Sequence, residues 1–263
     1  MSGLPDLSDD YVNVDYIPGG ADYPARWAAQ AAAFRAAQGA RFTRHAYGAG
    51  AREWFDLVLP DGEPEGVLIF VHGGYWMAFD PTLWSHLAAG PLAHGWAVAL
   101  PCYDLCPDVR ISQITAQVAR AVTAIAGVLP GPVVLAGHSA GGHLVARMLC
   151  PDVVLPMRDR VVRVVPISPL GDLMPLLQTG MNATLRLDAK EALAESPVSC
   201  PPPDVPVTVW VGSVERPAFV AQARALAQAW DAGLVLAAGR HHFDVIAEMA
   251  EPESALIVAL LAQ

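Results

Sequence analysis

A serine between two glycines, in the stretch Gly137-His-Ser-Ala-Gly141, is the sequence feature best suited to chemistry. It follows the apolar run 133–136 and precedes a stretch with helical character, so Ser139 falls on a turn between strand and helix. A tight turn here needs glycine two residues before and two residues after the serine, because side chains there would collide with strand or helix. The turn would expose the hydroxyl and aim the first helical N–H groups, including that of Ala140, at a developing oxyanion. We therefore predict that Ser139 is a nucleophile; the alternative is a glycine-rich turn without chemistry.

Histidines downstream of the serine are the candidates for the general base that Ser139 needs. A serine hydroxyl is inert near neutral pH unless an imidazole lies within hydrogen-bond reach. When the nucleophile stands on a strand–helix turn, the acid and then the histidine follow it along the chain. His241 and His242, after the apolar run 234–237, satisfy that order, and periodicity does not choose between them. The same criterion excludes histidines that precede the serine, among them His45, His72, His86 and His94.

The acid that orients the histidine is predicted to be Glu215. This residue lies in the loop just beyond the apolar strand run 207–211, where the acid of such a site is expected. Asp204 precedes that strand, Asp231 ends a helix, and Asp244 is so close to the histidines that it would point into the next helix. A glutamate can hold an imidazole in one tautomer and stabilise the imidazolium. The alternative is that Glu215 is a solvated surface carboxylate.

The stretch Val-His-Gly-Gly-Tyr-Trp, residues 71–76, follows another apolar run and offers further oxyanion donors. Lipases and esterases often carry a loop of the His-Gly-Gly-Gly type at this place in the chain. Gly73 and Gly74 let the backbone pass close to a substrate and turn its N–H groups inward. We predict an oxyanion hole formed by the N–H groups of Gly73, Gly74, Tyr75 and Ala140, each donor stabilising the charge by about 3 kcal/mol.

Aromatic residues of the same region are candidates for the wall of a substrate pocket. Tyr75, Trp76 and Phe79 are assigned to that wall, although an ordinary core position suits Trp76 equally well. Three nearby histidines are interpreted as structural rather than catalytic: His72, His138 and His143. The turn around the serine is expected to point His138 away from the nucleophile, and His72 is expected to orient the glycine loop.

The elements that must position these residues alternate between short apolar runs and longer helical stretches. Strands are predicted at 54–59, 67–71, 97–100, 133–136, 161–167, 207–211 and 234–237. Helices are predicted at 23–38, 81–94, 111–128, 140–149, 217–232 and 253–261. This order predicts an α/β fold, with a mostly parallel central sheet and helices on both faces. We expect one domain over residues 1–263, with an N-terminal extension over about 1–45 and a small helical cap inserted at about 169–205.

Composition excludes several classes of partner. The net charge of −10 argues against nucleic acid and against an anionic membrane surface. The acidic start does not resemble a signal peptide, and no run reaches the roughly 18 apolar residues that span a bilayer. We therefore expect a soluble, cytoplasmic protein. Its four cysteines form no zinc pattern, and no motif for a metal, a nucleotide or a redox cofactor is visible.

Several ordered motifs together resemble the kynurenine formamidase (arylformamidase) branch of the hormone-sensitive-lipase-like α/β-hydrolases. They are His-Gly-Gly-Tyr-Trp at 72–76, Tyr-Asp-Leu-Cys-Pro at 103–107, the serine motif at 137–141, Asn182 with Leu185, Glu-Arg-Pro-Ala-Phe at 215–219 with Gln222, and His-Phe-Asp at 242–244. The resemblance implies an α/β-hydrolase fold and selects His242 over His241. The sequence departs from the family pattern at two positions: Glu215 stands where the family is expected to have Asp, and His241 where it more often has Asp.

The resulting expectation is a serine hydrolase without a cofactor, acting on a small-molecule substrate. The resemblance implies an aryl formamide, N-formylkynurenine, which would be converted to kynurenine and formate. A short-chain carboxylesterase or thioesterase is the close alternative. A catalytically silent hydrolase-fold binding module is a remote alternative, because such modules typically lose a member of the triad, whereas all three candidates are present here. No motif of a metal-dependent hydrolase is visible in the sequence. The sequence does not decide whether the protein forms a homo-oligomer.

Overall fold

The computed structural model describes residues 5–262, and its centre is a sheet of eight strands. The strands are β1 (Phe42–Ala46), β2 (Trp54–Val58), β3 (Val67–Val71), β4 (Ala97–Pro101), β5 (Val133–His138), β6 (Val161–Ile167), β7 (Thr208–Gly212) and β8 (Gly233–Ala237). Their order across the sheet is β1-β2-β4-β3-β5-β6-β7-β8. β2 pairs antiparallel with both β1 and β4, and the other pairs are parallel. The predicted mostly parallel sheet is confirmed.

Eight α-helices flank this sheet in the described part of the chain. They are α1 (Tyr23–Gln38), α2 (Ala89–Ala93), α3 (Ile111–Val128), α4 (Ala140–Arg147), α5 (Asn182–Leu185), α6 (Ala189–Ala194), α7 (Pro217–Ala229) and α8 (Ala255–Leu261). The predicted helix over 81–94 is wrong in its first half, where two short 3₁₀ turns, Pro81–Leu83 and Ser85–Ala88, replace it. Only its last residues, around Gly90 and Pro91, form the short helix α2, because proline suits the start of a helix and not its interior.

The strands alternate their side chains between two apolar cores, one on each face of the sheet. In β3, Val67, Ile69 and Val71 pack with α3, α4 and α7, while Leu68 and Phe70 pack with α1 and α8. This two-sided burial explains why β3 is apolar at every position. Both faces are covered by helices, as the sequence predicts.

The segment that was expected to form a cap is folded but lies mainly against the body of the protein. It contains α5, α6 and the 3₁₀ turns Met174–Gln178 and Pro197–Ser199. Its leucines at 170, 173, 176 and 185 are buried in the core on the α3 side of the sheet. A segment that buries so much apolar surface is held in place by the hydrophobic effect.

No helix among residues 5–262 combines the length and the apolar character that crossing a membrane requires.

Candidate active site

Ser139 occupies the turn between β5 and α4, in a backbone conformation that only a tightly packed site maintains. Its φ of +55° lies in the left-handed region, which is strained for a residue with a side chain. A Cβ atom added at Gly137 would lie 2.2 Å from the carbonyl oxygen of Gly141, and one at Gly141 would lie 1.9 Å from that of Val71. The predicted reason for both glycines, collision with strand and helix, is confirmed. Ser139 is 97% buried but lines an open cavity.

Glu215 and His242 form a buried hydrogen-bonded pair beside that cavity. Nδ1 of His242 lies 2.6 Å from Oε2 of Glu215, and both side chains are at least 96% buried. A carboxylate can only accept, so Nδ1 carries the proton and donates it, which leaves Nε2 as the basic nitrogen. His242 and Ser139 line the same cavity. The fold thus brings together three residues that are up to 103 positions apart in the chain.

Ser168 is a functional candidate that sequence reasoning missed. Its hydroxyl donates to Oε1 of Glu215 at 2.5 Å, and the backbone N–H of Gly212 donates to the same oxygen at 2.7 Å. These two donors leave Oε2 free for His242 and hold the carboxylate in one orientation. Ser168 directly follows β6 with a φ of +48°, but nothing in its immediate sequence signals this conformation. The sequence signal that could have indicated a role for Ser168 is its position one residue beyond a predicted parallel strand.

His241 faces away from the Glu215 carboxylate, toward the N-terminal part of the chain. Its Nδ1 accepts from the backbone N–H groups of Phe243 and Asp244, at 3.2 Å each. Nδ1 also lies 3.1 Å from Oδ1 of Asp244, and Nε2 lies 3.1 Å from the hydroxyl of Tyr23. The structure pairs His242 and not His241 with Glu215.

His138 does not point away from the site, contrary to the sequence-based expectation. Its Nε2 lies 2.8 Å from the backbone carbonyl oxygen of His242, and its ring centroid lies 4.6 Å from that of the His242 ring. It also lines the cavity beside Ser139. The carbonyl accepts, so His138 donates from Nε2. Burial, followed by the neighbouring His242, lowers the pKa of His138 and keeps the ring neutral.

The glycine loop after β3 packs directly against the serine turn. A Cβ atom at Gly73 would lie 2.9 Å from the carbonyl oxygen of His138 and 3.1 Å from Cβ of Ser139. Gly74, at a φ of +109°, and Tyr75, at +50°, then reverse the chain. Gly73, Gly74 and Tyr75 line the cavity together with Ser139, while Ala140 is the first residue of α4, directly behind it. This close approach is what an oxyanion loop requires.

His72 is enclosed in an aromatic stack beneath the loop. Its ring lies between Tyr103, at a centroid distance of 4.3 Å, and Trp84, at 5.4 Å. Nδ1 donates to the carbonyl oxygen of Gly73 at 2.7 Å. Burial lowers the pKa of His72 to about 4, so the ring is neutral at physiological pH. These contacts fit a residue that supports the loop.

The cavity above Ser139 has a volume of about 520 Å³. Tyr75 and Phe79 line it, as the sequence analysis expected. Trp76 does not: it is fully buried in the core, with its ring edge-on to His143 at a centroid distance of 5.1 Å. Its φ of +56° carries the indole inward instead of toward the cavity. The assignment of Trp76 to the pocket wall is therefore wrong, and the core alternative is correct.

Much of the remaining cavity wall comes from residues 9–27, which we call the N-terminal strap. Eight of its residues line the cavity: Tyr11, Val12, Asn13, Val14, Gly20, Ala21, Pro24 and Trp27. Of the expected cap over 169–205, only Met181 does so. The leucines of the expected cap are buried in the core, and the strap supplies more of the cavity wall than that segment does.

Polar contacts attach the strap to elements around the site. The hydroxyl of Tyr75 donates to the carbonyl oxygen of Tyr11 at 2.6 Å, and Gln222 Nε2 donates to the Tyr11 hydroxyl at 3.1 Å. Arg216, next to Glu215 in the chain, donates to a carboxylate oxygen of Asp9 at 2.6 Å. Its guanidinium also lies 3.6 Å from the centroid of the Tyr16 ring, within the range of a cation–π contact. The strap is therefore bound to the loops that hold the candidate triad.

Two kynurenine formamidases are similar to this chain in sequence. A kynurenine formamidase from Drosophila melanogaster is 30% identical over 209 residues, which cover 72% of this chain and 69% of the fly protein. One from Danio rerio is 27% identical over 82% of this chain and 78% of its own length. These matches confirm the resemblance to kynurenine formamidases.

Solved structures give a second line of comparison. A protein from Silicibacter sp. TM1040, provisionally named a thioesterase, has a crystal structure that matches 98% of this chain and 99% of its own. The two chains are 57% identical in sequence, and the TM-score is 0.95. Esterase 2 of Thermogutta terrifontis has a TM-score of 0.66 at 18% identity, over 85% of this chain and 97% of that chain, which shows a shared fold. The model of the alpha/beta hydrolase family matches residues 68–258. The chain therefore belongs to the alpha/beta hydrolase family.

Proposed function

We propose that this protein is a serine hydrolase that cleaves an uncharged carboxylic ester or thioester through an acyl-enzyme. The observation that carries the proposal is the buried Glu215–His242 hydrogen bond beside a cavity that Ser139 also lines. A carboxylate that fixes Nδ1 of an imidazole leaves Nε2 ready to accept a proton from a serine hydroxyl.

In this mechanism, Oγ of Ser139 attacks the acyl carbonyl carbon while Nε2 of His242 takes the hydroxyl proton. The negative charge on the carbonyl oxygen is stabilised by the N–H groups of Ala140 and of the loop Gly73–Gly74–Tyr75. Collapse of the intermediate expels the leaving group, to which the imidazolium returns the proton. Water then attacks the acyl-enzyme with His242 again acting as the base, and Ser139 is regenerated.

The lining of the cavity supports an uncharged substrate. Among the described residues, those that line it include no Asp, Glu, Lys or Arg. N-formylkynurenine carries an ammonium and a carboxylate group, and burying either without a partner of opposite charge is costly. Esters and thioesters with apolar acyl groups carry no such penalty. The Silicibacter protein provisionally named a thioesterase, which matches nearly the whole chain, adds support for the thioester.

Labelling with a fluorophosphonate probe tests the hydrolase assignment. Wild-type protein should be labelled, and Ser139→Ala should not. His242→Ala should abolish turnover of p-nitrophenyl butyrate, whereas the matched variant His241→Ala should keep much of it. Equal labelling of wild type and Ser139→Ala would refute the proposed nucleophile, and the reverse histidine pattern would refute the proposed base.

Kynurenine formamidase activity is a second candidate, favoured by the 30% identity to the Drosophila melanogaster enzyme. A formyl group needs almost no acyl pocket, and Tyr75 and Phe79 could hold an aryl group. Values of kcat/KM should be compared for p-nitrophenyl butyrate, a butyryl thioester of N-acetylcysteamine and N-formylkynurenine. We expect the two butyryl compounds to exceed the formamide by about 100-fold or more, the scale set by an unpaired buried charge. A faster formamide would replace the proposed substrate class with the second candidate.

A further inference from the structure

Two cysteines meet in a polar cluster at the end of α4 opposite Ser139. The sulfur atoms of Cys150 and Cys200 and a carboxylate oxygen of Asp152 all lie within 4.8 Å of one another. Cys150 is fully buried, and Cys200 is only partly buried. None of these residues lines the cavity above Ser139, so the candidate active site does not account for the cluster.

The guanidinium of Arg147 occupies the place in this cluster where a metal ion would have to bind. It donates to Asp152 at 2.6 and 3.0 Å and contacts the Cys200 sulfur at 3.7 Å. The side chain of Arg147 is 99% buried. A metal ion would have to displace this buried guanidinium, so the arrangement disfavours a metal site. The guanidinium, which also donates to Oε2 of Glu195 at 3.1 Å, instead places a buried positive charge beside the Cys200 sulfur.

The Cys150 thiol supports the same charge distribution. The neighbouring Cys150 thiol, followed by the nearby Arg147, lowers the pKa of Cys200 against the opposing effect of burial. The neighbouring Cys200, followed by burial, raises the pKa of Cys150. By contrast, burial raises the pKa of Cys102 to about 12 and that of Cys106 to about 11. Cys200 is thus the one cysteine of the four whose surroundings lower the pKa of its thiol.

We propose that Cys200 is a peroxide-reactive thiol and that Cys150 is its resolving partner, so that the two form a reversible disulfide. The Cys200 thiolate attacks the O–O bond of a peroxide, which gives a sulfenic acid and, after proton uptake, an alcohol or water. The Cys150 thiol then attacks the sulfenic sulfur, and water leaves. The two thiols are oxidised by two electrons, and the peroxide is reduced by two. A dithiol reverses the reaction by two exchange steps.

Peroxide titration of the full chain followed by thiol counting and peptide mapping tests this proposal. With a small excess of hydrogen peroxide, free thiols should fall from the four of the reduced chain to two per chain. Non-reducing peptide maps should link the peptide of Cys150 to that of Cys200, and dithiothreitol should restore all thiols. Cys102 and Cys106, in the same chain, serve as internal controls and should stay reduced.

Two variants separate the two roles. Cys200→Ser should slow thiol loss by about tenfold or more, because the activated thiol is gone. Cys150→Ser should form no disulfide and should accumulate a sulfenic acid at Cys200 that dimedone traps. A disulfide that involves Cys102 or Cys106, or dimedone labelling of Cys200 in wild type without any disulfide, would overturn the proposal. So would a tightly held equivalent of zinc that protects both thiols. Loss of hydrolase activity in Ser139→Ala leaves the thiol reaction unchanged, so the two proposals fail independently.

Discussion

His138 donates a hydrogen bond from Nε2 to the backbone carbonyl oxygen of His242, 2.8 Å away, in the wall of the cavity that Ser139 also lines. The residue before the proposed nucleophile therefore holds the backbone of the proposed base. Glu215 fixes the imidazole of His242 at Nδ1, and His138 fixes its main chain. One contact restrains the imidazole of His242 and the other restrains its backbone. Together they hold the imidazole in one position relative to Ser139.

Replacement of His138 should show that it positions His242. His138→Leu removes the donor and should lower kcat by about tenfold, the equivalent of roughly 1.4 kcal/mol, with little change in KM. His138→Gln can still reach the carbonyl oxygen and should recover most of the loss. Steady-state kinetics with p-nitrophenyl butyrate and thermal melts measure both effects. Equal kcat values for the two variants would refute the positioning role.

Alanine at two glycines of the site should have opposite effects on folding and catalysis. At Gly141 the new Cβ would lie 1.9 Å from the carbonyl oxygen of Val71, so Gly141→Ala should destabilise the fold by about 3 kcal/mol or more. At Gly73 it would press on Ser139 and His138 from about 3 Å, which a small shift of the loop relieves.

Gly73→Ala should therefore remain folded but lose about 100-fold in kcat/KM, because the loop moves relative to Ser139. Urea unfolding curves and ester kinetics on both variants distinguish the two outcomes. A stable, inactive Gly141→Ala would contradict the steric argument.

The hydroxyl of Tyr75 should act on substrate binding through the strap. Tyr75→Phe removes its hydrogen bond to the Tyr11 carbonyl and should raise KM by about threefold, as expected for one hydrogen bond worth roughly 0.7 kcal/mol. The value of kcat should stay within a factor of about two, since the backbone N–H of Tyr75 is unchanged.

Tyr47→Phe is the matched control, because Tyr47 donates a bond of the same 2.6 Å length to Cys102 away from the cavity. Both variants lose one hydroxyl bonded to a carbonyl oxygen, but only one of these bonds holds the strap. If the control raises KM equally, the effect does not come from the strap.

The buried, neutral His72 should make the protein less stable in mild acid. Its pKa is about 4 in the folded protein and about 6.5 in the unfolded chain, so between these values the unfolded state binds more protons. The contribution is complete above pH 6.5 and is lost as the pH falls toward 4, and at pH 5 the loss is about 2 kcal/mol.

Urea unfolding at pH 7.5 and pH 5 measures this loss. His72→Gln does not titrate and should reduce the difference in unfolding free energy between the two pH values. His94→Gln, a change at an exposed histidine, should leave that difference unchanged. An unreduced difference in His72→Gln would show that other groups cause the acid sensitivity.

The predictable parts of this structure are those in which one local pattern determines the outcome. β3 and β6, like α1 and α3, have the predicted bounds, because their apolar periodicity matches a single kind of element. β1 was missed because it is an edge strand with mostly exposed side chains, so no alternation marks it. The serine motif and chain order led to Ser139, to Glu215 and to the two histidines His241 and His242. The family resemblance selected His242, which the structure pairs with Glu215.

What escaped prediction depends on contacts between distant residues. Ser168 lies 47 positions from the Glu215 carboxylate that it orients, and His138 lies 104 positions from the carbonyl that it holds. The strap was recognised only as an extension, because its residues follow short 3₁₀ turns and no long periodic element. Such partnerships are created by the way the sheet is assembled.

The candidate catalytic residues and many of the residues that line the cavity lie in different parts of the chain. The candidate catalytic residues follow strands of the sheet, whereas many of the residues that line the cavity precede the first strand. Changes at strap residues such as Val12 and Val14, which line the cavity, are therefore expected to reshape it while Ser139, His242 and Glu215 stay in place. Apart from Tyr11 and Trp27, which pack into the two cores, this stretch is where we expect substitutions to change substrate preference and not the candidate reaction centre.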